Sequence, residues 1–264
     1  MIRKTLPQVK AATFCIELPN KNQNGMPAPT GTGFFISPDG WFATAAHVIM
    51  ENGKQRSDID KSFFMKESDG VGPGGMCQFM TLEHVLPQYD IALIKVDFEK
   101  NSNKDWLKGR SDFPFIQVST LPLEMGEPVY SFGYPLSESK VNNSGPVTIG
   151  VSELSPRVTS AIVSSNLDKT KMVMSSSDPK HYVLDKALNY GNSGGPIIAS
   201  ETGHVHAICS RFQPVIVPQS HLKDANGQML SIMIPSLYGV VSSFDNKEII
   251  DLLKSLNIPI KERI

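Results

Sequence analysis

The apolar residues of this chain come in short runs, each ended by Gly, Pro, Asn, Asp or another polar residue before it reaches helical length. Runs of this kind, rich in β-branched and aromatic side chains, suit a pleated surface and give no sustained 3.6-residue stripe. They are Ala11 to Leu18, Gly33 to Ser37, Trp41 to Ala45, Ile91 to Val96, Val147 to Leu154, Val158 to Ser164, Pro196 to Ala199, Val205 to Ser210 and Leu230 to Ile234. The pattern predicts an all-β fold. Only one segment changes period: Ile249, Ile250, Leu252, Leu253 and Leu256 recur at helical spacing behind Asp245, with Glu248 three residues on. That predicts a closing helix capped by Asp245, then a short tail.

A chain of 264 residues holds one large domain or two small ones. Between Trp106 and Pro128 the sequence loses its periodicity and carries Gly109, Pro114, Pro122 and Gly126, which marks a crossing between two halves. The expected units are therefore 1–115, 116–242 and the helix and tail at 243–264. Lys and Arg number 25 against 26 for Asp and Glu, so no general basic field exists for nucleic acid or anionic lipid. Three cysteines, Cys15, Cys77 and Cys209, cannot all pair within one chain, and so low a count suits a reduced, cytoplasmic compartment. The apolar stretch from Ala11 to Ile16 is broken by Glu17, too soon for an export signal, and no run approaches the roughly 18 residues of a membrane span.

The chemistry concentrates at Gly191-Asn192-Ser193-Gly194-Gly195-Pro196. One serine among three glycines is presented on a tight turn, where backbone N–H groups can face a bound oxygen. A serine hydroxyl attacks a carbonyl only with an imidazole in reach, itself oriented by a carboxylate. Upstream, Thr44-Ala45-Ala46-His47 puts a histidine directly after an apolar strand, and Asp90 opens the apolar strand Ile91-Ala92-Leu93-Ile94. Gly191-x-Ser193-x-Gly195 also fits the nucleophile elbow of the α/β-hydrolases, but there the acid and the histidine follow the serine. Here Glu201 and Asp224 follow, no histidine comes after Asp224, and the alternating parallel-sheet pattern is missing. The order His47, Asp90, Ser193 is the other one.

With that order the chain resembles the trypsin-like, chymotrypsin-fold serine peptidases, and among them the HtrA/Deg-type peptidase domain. Four blocks carry the likeness: Gly31 to Val48, Asp90 to Val96, Val158 to Ser164 and Gly191 to Ile198. The resemblance implies two antiparallel six-stranded β-barrels with the active site between them, His47 and Asp90 from the first and Ser193 from the second. It makes Ser193 the nucleophile, His47 the general base, Asp90 the orienting carboxylate, and the N–H groups of Gly191 and Ser193 the oxyanion hole. Ser210 matches a serine near the triad carboxylate and the substrate main chain, and Ala187, Arg211 and Phe212 join it as substrate-binding positions. The implied function is a serine endopeptidase acting on protein or peptide substrates with no metal or other cofactor. A catalytically silent binding module on the same fold is the alternative. HtrA-type proteins usually add a PDZ domain after the peptidase, and the roughly 22 residues after Val241 hold only the closing helix.

Three further features are expected to be structural. Gly70-Val71-Gly72-Pro73-Gly74-Gly75 has dinucleotide-loop spacing but no βαβ context. His204 and His206 alternate on one strand and, with His221, lack further ligands for zinc, so they read as a surface pair. Asn142-Asn143-Ser144 is a polar loop. Two expectations concern control and specificity. Asn192 stands where activated relatives hold an aspartate that needs a new N-terminal ammonium, so no proteolytic activation is required. The resemblance implies a primary-pocket floor six positions before the nucleophile, which is here Ala187, an uncharged residue suited to small or medium apolar side chains.

Overall fold

A computed structural model of the chain describes residues 2–20, 26–59, 62–66, 76–78, 81–96, 107, 109–144, 147–166, 180–186, 188, 190–223 and 225–262. The first half runs α1 (Ile2–Ala12), β1 (Thr13–Asn20), β2 (Met26–Phe35), β3 (Trp41–Thr44), α2 (Ala46–Ile49), a small hairpin of β4 (Met50–Glu51) and β5 (Lys54–Gln55), β6 (Phe63–Met65), β7 (Met76–Gln78), β8 (Thr81–Leu86), a 3₁₀ turn at Pro87–Tyr89 and β9 (Ile91–Lys95). The second half runs β10 (Val118–Ser119), β11 (Pro128–Gly133), β12 (Glu138–Ser144), β13 (Val147–Glu153), β14 (Arg157–Asn166), β15 (His181–Leu184), β16 (Pro196–Ala199), β17 (Val205–Lys223), β18 (Met229–Ser243), α3 (Lys247–Ser255) and β19 (Ile260–Lys261). The fold is mostly β, as the short apolar runs require.

In the second half β16-β11-β14-β15-β18-β17 are neighbours in that order, and β16 also pairs with β17, so six antiparallel strands close into a barrel. In the first half the order is β7-β6-β1-β2-β3-β9-β8. Its two ends, β7 and β8, are separated in the chain only by residues 79 and 80. β7 pairs with β6 at one end of this order and β8 with β9 at the other. This is the double-barrel arrangement that the resemblance implies. Residues 70–75 of the dinucleotide-like spacing lie outside the described residues.

Pleating explains how the halves share a core. On β11, Val129 faces the interior of the second barrel with Leu123, Val163, Tyr182, Leu184, Ile197 and Val241. Tyr130, Phe132 and, just beyond the strand, Tyr134 alternate to the opposite side and join a continuous cluster with Phe14, Phe35, Phe42, Phe64 and Phe113 of the first half. Within it Phe42 stacks on Phe64 with centroids 3.9 Å apart, and Phe35 on Phe113 at 4.4 Å. Through this cluster the two halves pack directly against each other. Ile249 and Leu253 of α3 and Ile258 after it enter the same cluster.

Four local expectations change. Asn142-Asn143-Ser144, expected as a loop, ends strand β12 and pairs with β13. A helix, α1, precedes the first strand, where strand was expected from Ala11. Its pattern is blurred by Pro7, and it is held by tertiary contacts: Val9 and Ala12 are buried, the Thr5 hydroxyl lies 2.6 Å from Tyr130 Oη, and Gln8 donates to the Phe115 carbonyl at 2.9 Å. The N-cap of α3 is Asn246, not Asp245, and no side chain caps it. Asn246 instead accepts from Lys180 N–H and donates to the Ser243 carbonyl, while Asp245 pairs with Lys180 Nζ at 3.0 Å. The tail after α3 adds β19 in parallel beside β10.

His206 is also not a surface residue: it is 6% exposed, and its ring Nδ1 donates to the Leu121 carbonyl at 2.9 Å. Burial pushes its pKa below the usual imidazole value, so the folded state keeps it neutral. The stability this gives is present above about pH 6.5 and is lost as pH falls through the lower folded value. The urea midpoint is therefore expected to drop as pH falls below about 6.5, and His206→Asn, which keeps a donor for Leu121 but does not titrate, is expected to flatten that part of the profile.

Candidate active site

The strand β3 is buried at every position, and the turn of α2 that follows buries Ala46, Val48 and Ile49. His47 is the residue of that turn that faces outward, with 48% of its side chain exposed. Asp90 ends the 3₁₀ turn in a left-handed conformation (φ 52°, ψ 41°), which aspartate tolerates, before the buried strand β9 begins. Its carboxylate lies 2.8 and 3.0 Å from His47 Nδ1 and accepts the His47 backbone N–H at 2.9 Å. The Ser210 hydroxyl, arriving from β17, donates to it at 2.5 Å. Burial pushes the Asp90 carboxyl up, but the His47 ring, the Ser210 hydroxyl and the His47 N–H together hold it below the usual carboxylate range. An ionised Asp90 fixes the proton on Nδ1, which leaves Nε2 as the free base. Behind it, Tyr89 donates to Glu248 of α3 at 2.9 Å.

The turn at Ser193 is built on left-handed glycines, Gly191 (φ 93°) and Gly194 (φ 83°). A Cβ at Gly191 would come within 2.6 Å of the Tyr134 carbonyl, so no other residue fits without moving the chain. Each carbonyl around the turn is directed elsewhere: that of Tyr190 accepts Leu136 N–H at 3.1 Å, that of Gly191 accepts the Thr32 hydroxyl at 2.6 Å, and that of Ser193 accepts Thr32 N–H at 2.8 Å. Gly194 and Gly195 donate to Cys209 and Asn192. Among the described residues the N–H groups of Gly191 and Ser193 donate to no protein acceptor. Two unsatisfied donors beside a hydroxyl are what a developing oxyanion requires.

Ser193, Gly191 and His47 line one cleft of about 800 Å³. Ser210 and Arg211 line it as well, Arg211 with an exposed side chain. Phe212 continues β17, its backbone paired with Gly239. Ala187 lies outside the described residues. Its neighbour Leu188 is buried and lines the cleft, while the Asp185 carboxylate is turned away to accept Ile162 N–H at 2.8 Å. Cys209, also in the wall, is no rival nucleophile, because burial first and the Asp90 charge second push its thiol far up. Among the described residues no three His, Cys, Asp or Glu side chains converge on a point that could hold a metal.

Sequence reasoning missed the support of the turn. Thr32 accepts Tyr134 N–H at 3.1 Å on the same hydroxyl that it donates to Gly191, and its own carbonyl accepts the Thr44 hydroxyl. Its one signal was a place between Gly31 and Gly33 in the first motif block, which gives no hint of partners 102 and 159 residues away. Tyr190 and Leu136, both exposed at the cleft, were missed too.

Against known families, residues 31–208 match the model of the trypsin-like peptidase domain. The chain belongs to the trypsin-like peptidase family. Within the family it is 28% identical over 201 residues to serine protease HTRA1A of Danio rerio, covering 75% of this chain and 34% of that protein. It is 30% identical over 174 residues to serine protease HTRA1 of Xenopus laevis, with 66% and 29% covered. For serine protease HTRA4 of Mus musculus the figures are 26% over 199 residues, with 75% and 33% covered. The chain thus spans about a third of the length of these curated relatives. The trypsin-like family match takes in all three of His47, Asp90 and Ser193.

Proposed function

We propose that the chain is a serine endopeptidase that cleaves protein or peptide substrates through an acyl-enzyme. The observation that carries this reading is the Asp90–His47 pair, clamped by Ser210, on the same cleft as a serine whose turn leaves two N–H groups without an acceptor among the described residues. His47 Nε2 takes the Ser193 proton as Oγ attacks the scissile carbonyl, and Asp90 stabilises the imidazolium that forms. The carbonyl oxygen, now negative, accepts from Gly191 and Ser193 N–H, each donor contributing a factor of about 10² to 10³. His47 then gives its proton to the leaving amine, and water repeats the sequence on the acyl-enzyme. The Ser193 hydroxyl makes no hydrogen bond to His47 among those of the described residues, a contact that such sites tighten when substrate arrives.

A fluorophosphonate probe tests the proposal. Covalent labelling of the intact chain that disappears in Ser193→Ala supports it, and it also supports the expectation from Asn192 that no trimming is needed. A folded chain that stays unlabelled points to the silent binding module instead. A cytoplasmic location belongs to the same reading and rests on the cysteine count, with Cys15 and Cys209 both buried free thiols.

For the primary pocket we propose small or medium apolar residues. With Asp185 engaged by Ile162 N–H and Leu188 in the wall, a substrate cation would lose its hydration without a partner. Peptide-library profiling is expected to show cleavage after residues such as Val, Ala or Leu; a strong preference for Arg or Lys refutes it.

A further inference from the structure

We infer that Arg211 selects substrates carrying an acidic side chain in the stretch that lies along Ser210 to Phe212. The inference rests on the peptidase reading for which bond is cut, but not for the charge that is recognised. Strand β17 pairs with β16 only as far as Ile208, opposite Pro196. The N–H and C=O of Cys209 are then taken by Gly195 and Gly194 at 2.8 and 2.7 Å. From Ser210 onward, no strand among the described residues pairs with that edge, whereas the other edge continues on β18 through Arg211–Val240 and Phe212–Gly239. An open strand edge beside a cleft takes an extended peptide as an added strand.

At this place β17 is irregular. The register shifts between Cys209 and Arg211, so Ser210 has no partner on β18. A regular strand would turn alternate residues away, yet Cys209, Ser210 and Arg211 all line the cleft. The bulge thus aims Ser210 at Asp90 and still leaves Arg211 at the wall where a peptide would lie.

The charges of the cleft are otherwise answered. Arg56 is held by both oxygens of Asp58 at 3.0 Å and by the Pro19 carbonyl, with Glu51 near enough to favour its charge. Asp90 is matched with His47. Arg211 is exposed and, among the described residues, has neither an ion pair nor a side-chain hydrogen bond. A guanidinium with no partner among the described residues, at the edge where a peptide would pair, fits a carboxylate in bidentate fashion.

The test uses the full chain and a set of quenched fluorescent peptides, identical except for Glu, Gln or Lys at each of four positions on either side of the cleaved bond. At low ionic strength Glu is expected to exceed Lys in kcat/KM by about fivefold at one position, as expected for one partly exposed pair gained against one repulsion. The ratio is expected to fall to about one in Arg211→Gln and to invert in Arg211→Glu, with circular dichroism confirming that both variants fold. A wild-type chain that treats Glu, Gln and Lys alike at every position overturns the inference, as does a preference that survives Arg211→Gln. Binding of the same peptides to Ser193→Ala, read by fluorescence anisotropy, keeps the two readings apart. Acidic preference in binding without probe labelling of the unmodified chain defeats the peptidase and leaves the role of Arg211 standing; labelling and turnover without charge preference do the reverse.

Discussion

Ser193→Ala and His47→Ala are each expected to lower turnover of a cleaved peptide by about 10⁶-fold, and the double variant to be hardly worse. The two side chains act as one unit: without the base the hydroxyl is not a nucleophile at neutral pH, and without the hydroxyl the base has nothing to activate. Asp90→Ala is expected to cost less, about 10⁴-fold, because imidazole retains some basicity when its tautomer is no longer fixed. Neither Ser193 nor His47 belongs to the hydrophobic clusters, so both single variants are expected to unfold at nearly the wild-type temperature. Asp90, which accepts from His47 and Ser210, is expected to be less stable when replaced. Steady-state kinetics on purified chains check the rates, and equal turnover by Ser193→Ala defeats the proposed mechanism.

Thr32→Val is expected to lower kcat by about 10²- to 10³-fold, the scale of an oxyanion donor lost, with a much smaller change in KM. Valine keeps the shape but leaves the Gly191 carbonyl and Tyr134 N–H, both now bonded to the threonine hydroxyl, without a partner. The Gly191 carbonyl is then free to rotate, and rotation carries its peptide out of the arrangement that frees the neighbouring N–H groups. Thr32→Ser, which restores the hydroxyl, is expected to recover most of the rate. Recovery with serine separates this effect from simple loss of packing at a residue that is fully buried. Equal kcat in Thr32→Val shows that the turn holds itself.

Much of this site was legible because its chemistry is local. His47 directly follows a buried strand, Asp90 directly precedes one, and Ser193 sits among glycines whose left-handed angles no other residue adopts cheaply. Chain order then chose between two serine-centred arrangements. What was not legible depends on contacts distant in sequence. The helix α1 carries Pro7 and a broken stripe, and it exists through Tyr130, Phe115 and the core. The long strands β17 and β18 run through Pro214, Pro218 and Pro235, which read as breakers when neighbouring strands are unknown. Asp245 looked like a cap because its spacing to Glu248 is right, but Lys180, 65 residues away, claims it. His206 alternated correctly on its strand, yet which face was interior depended on Leu121, 85 residues back.

The bond from Thr32 to Gly191 spans 159 residues, and its length in sequence imposes an order in time. As the chain is made, the segments that carry His47 and Asp90 are complete by the end of β9, long before the serine is synthesised. The serine turn is held by two things: Thr32 of the first sheet, and β18, among the last strands in the chain, which completes the ring that holds β17 and Ser210. In the proposed peptidase, the support of the nucleophile is thus the last part of the site to be synthesised.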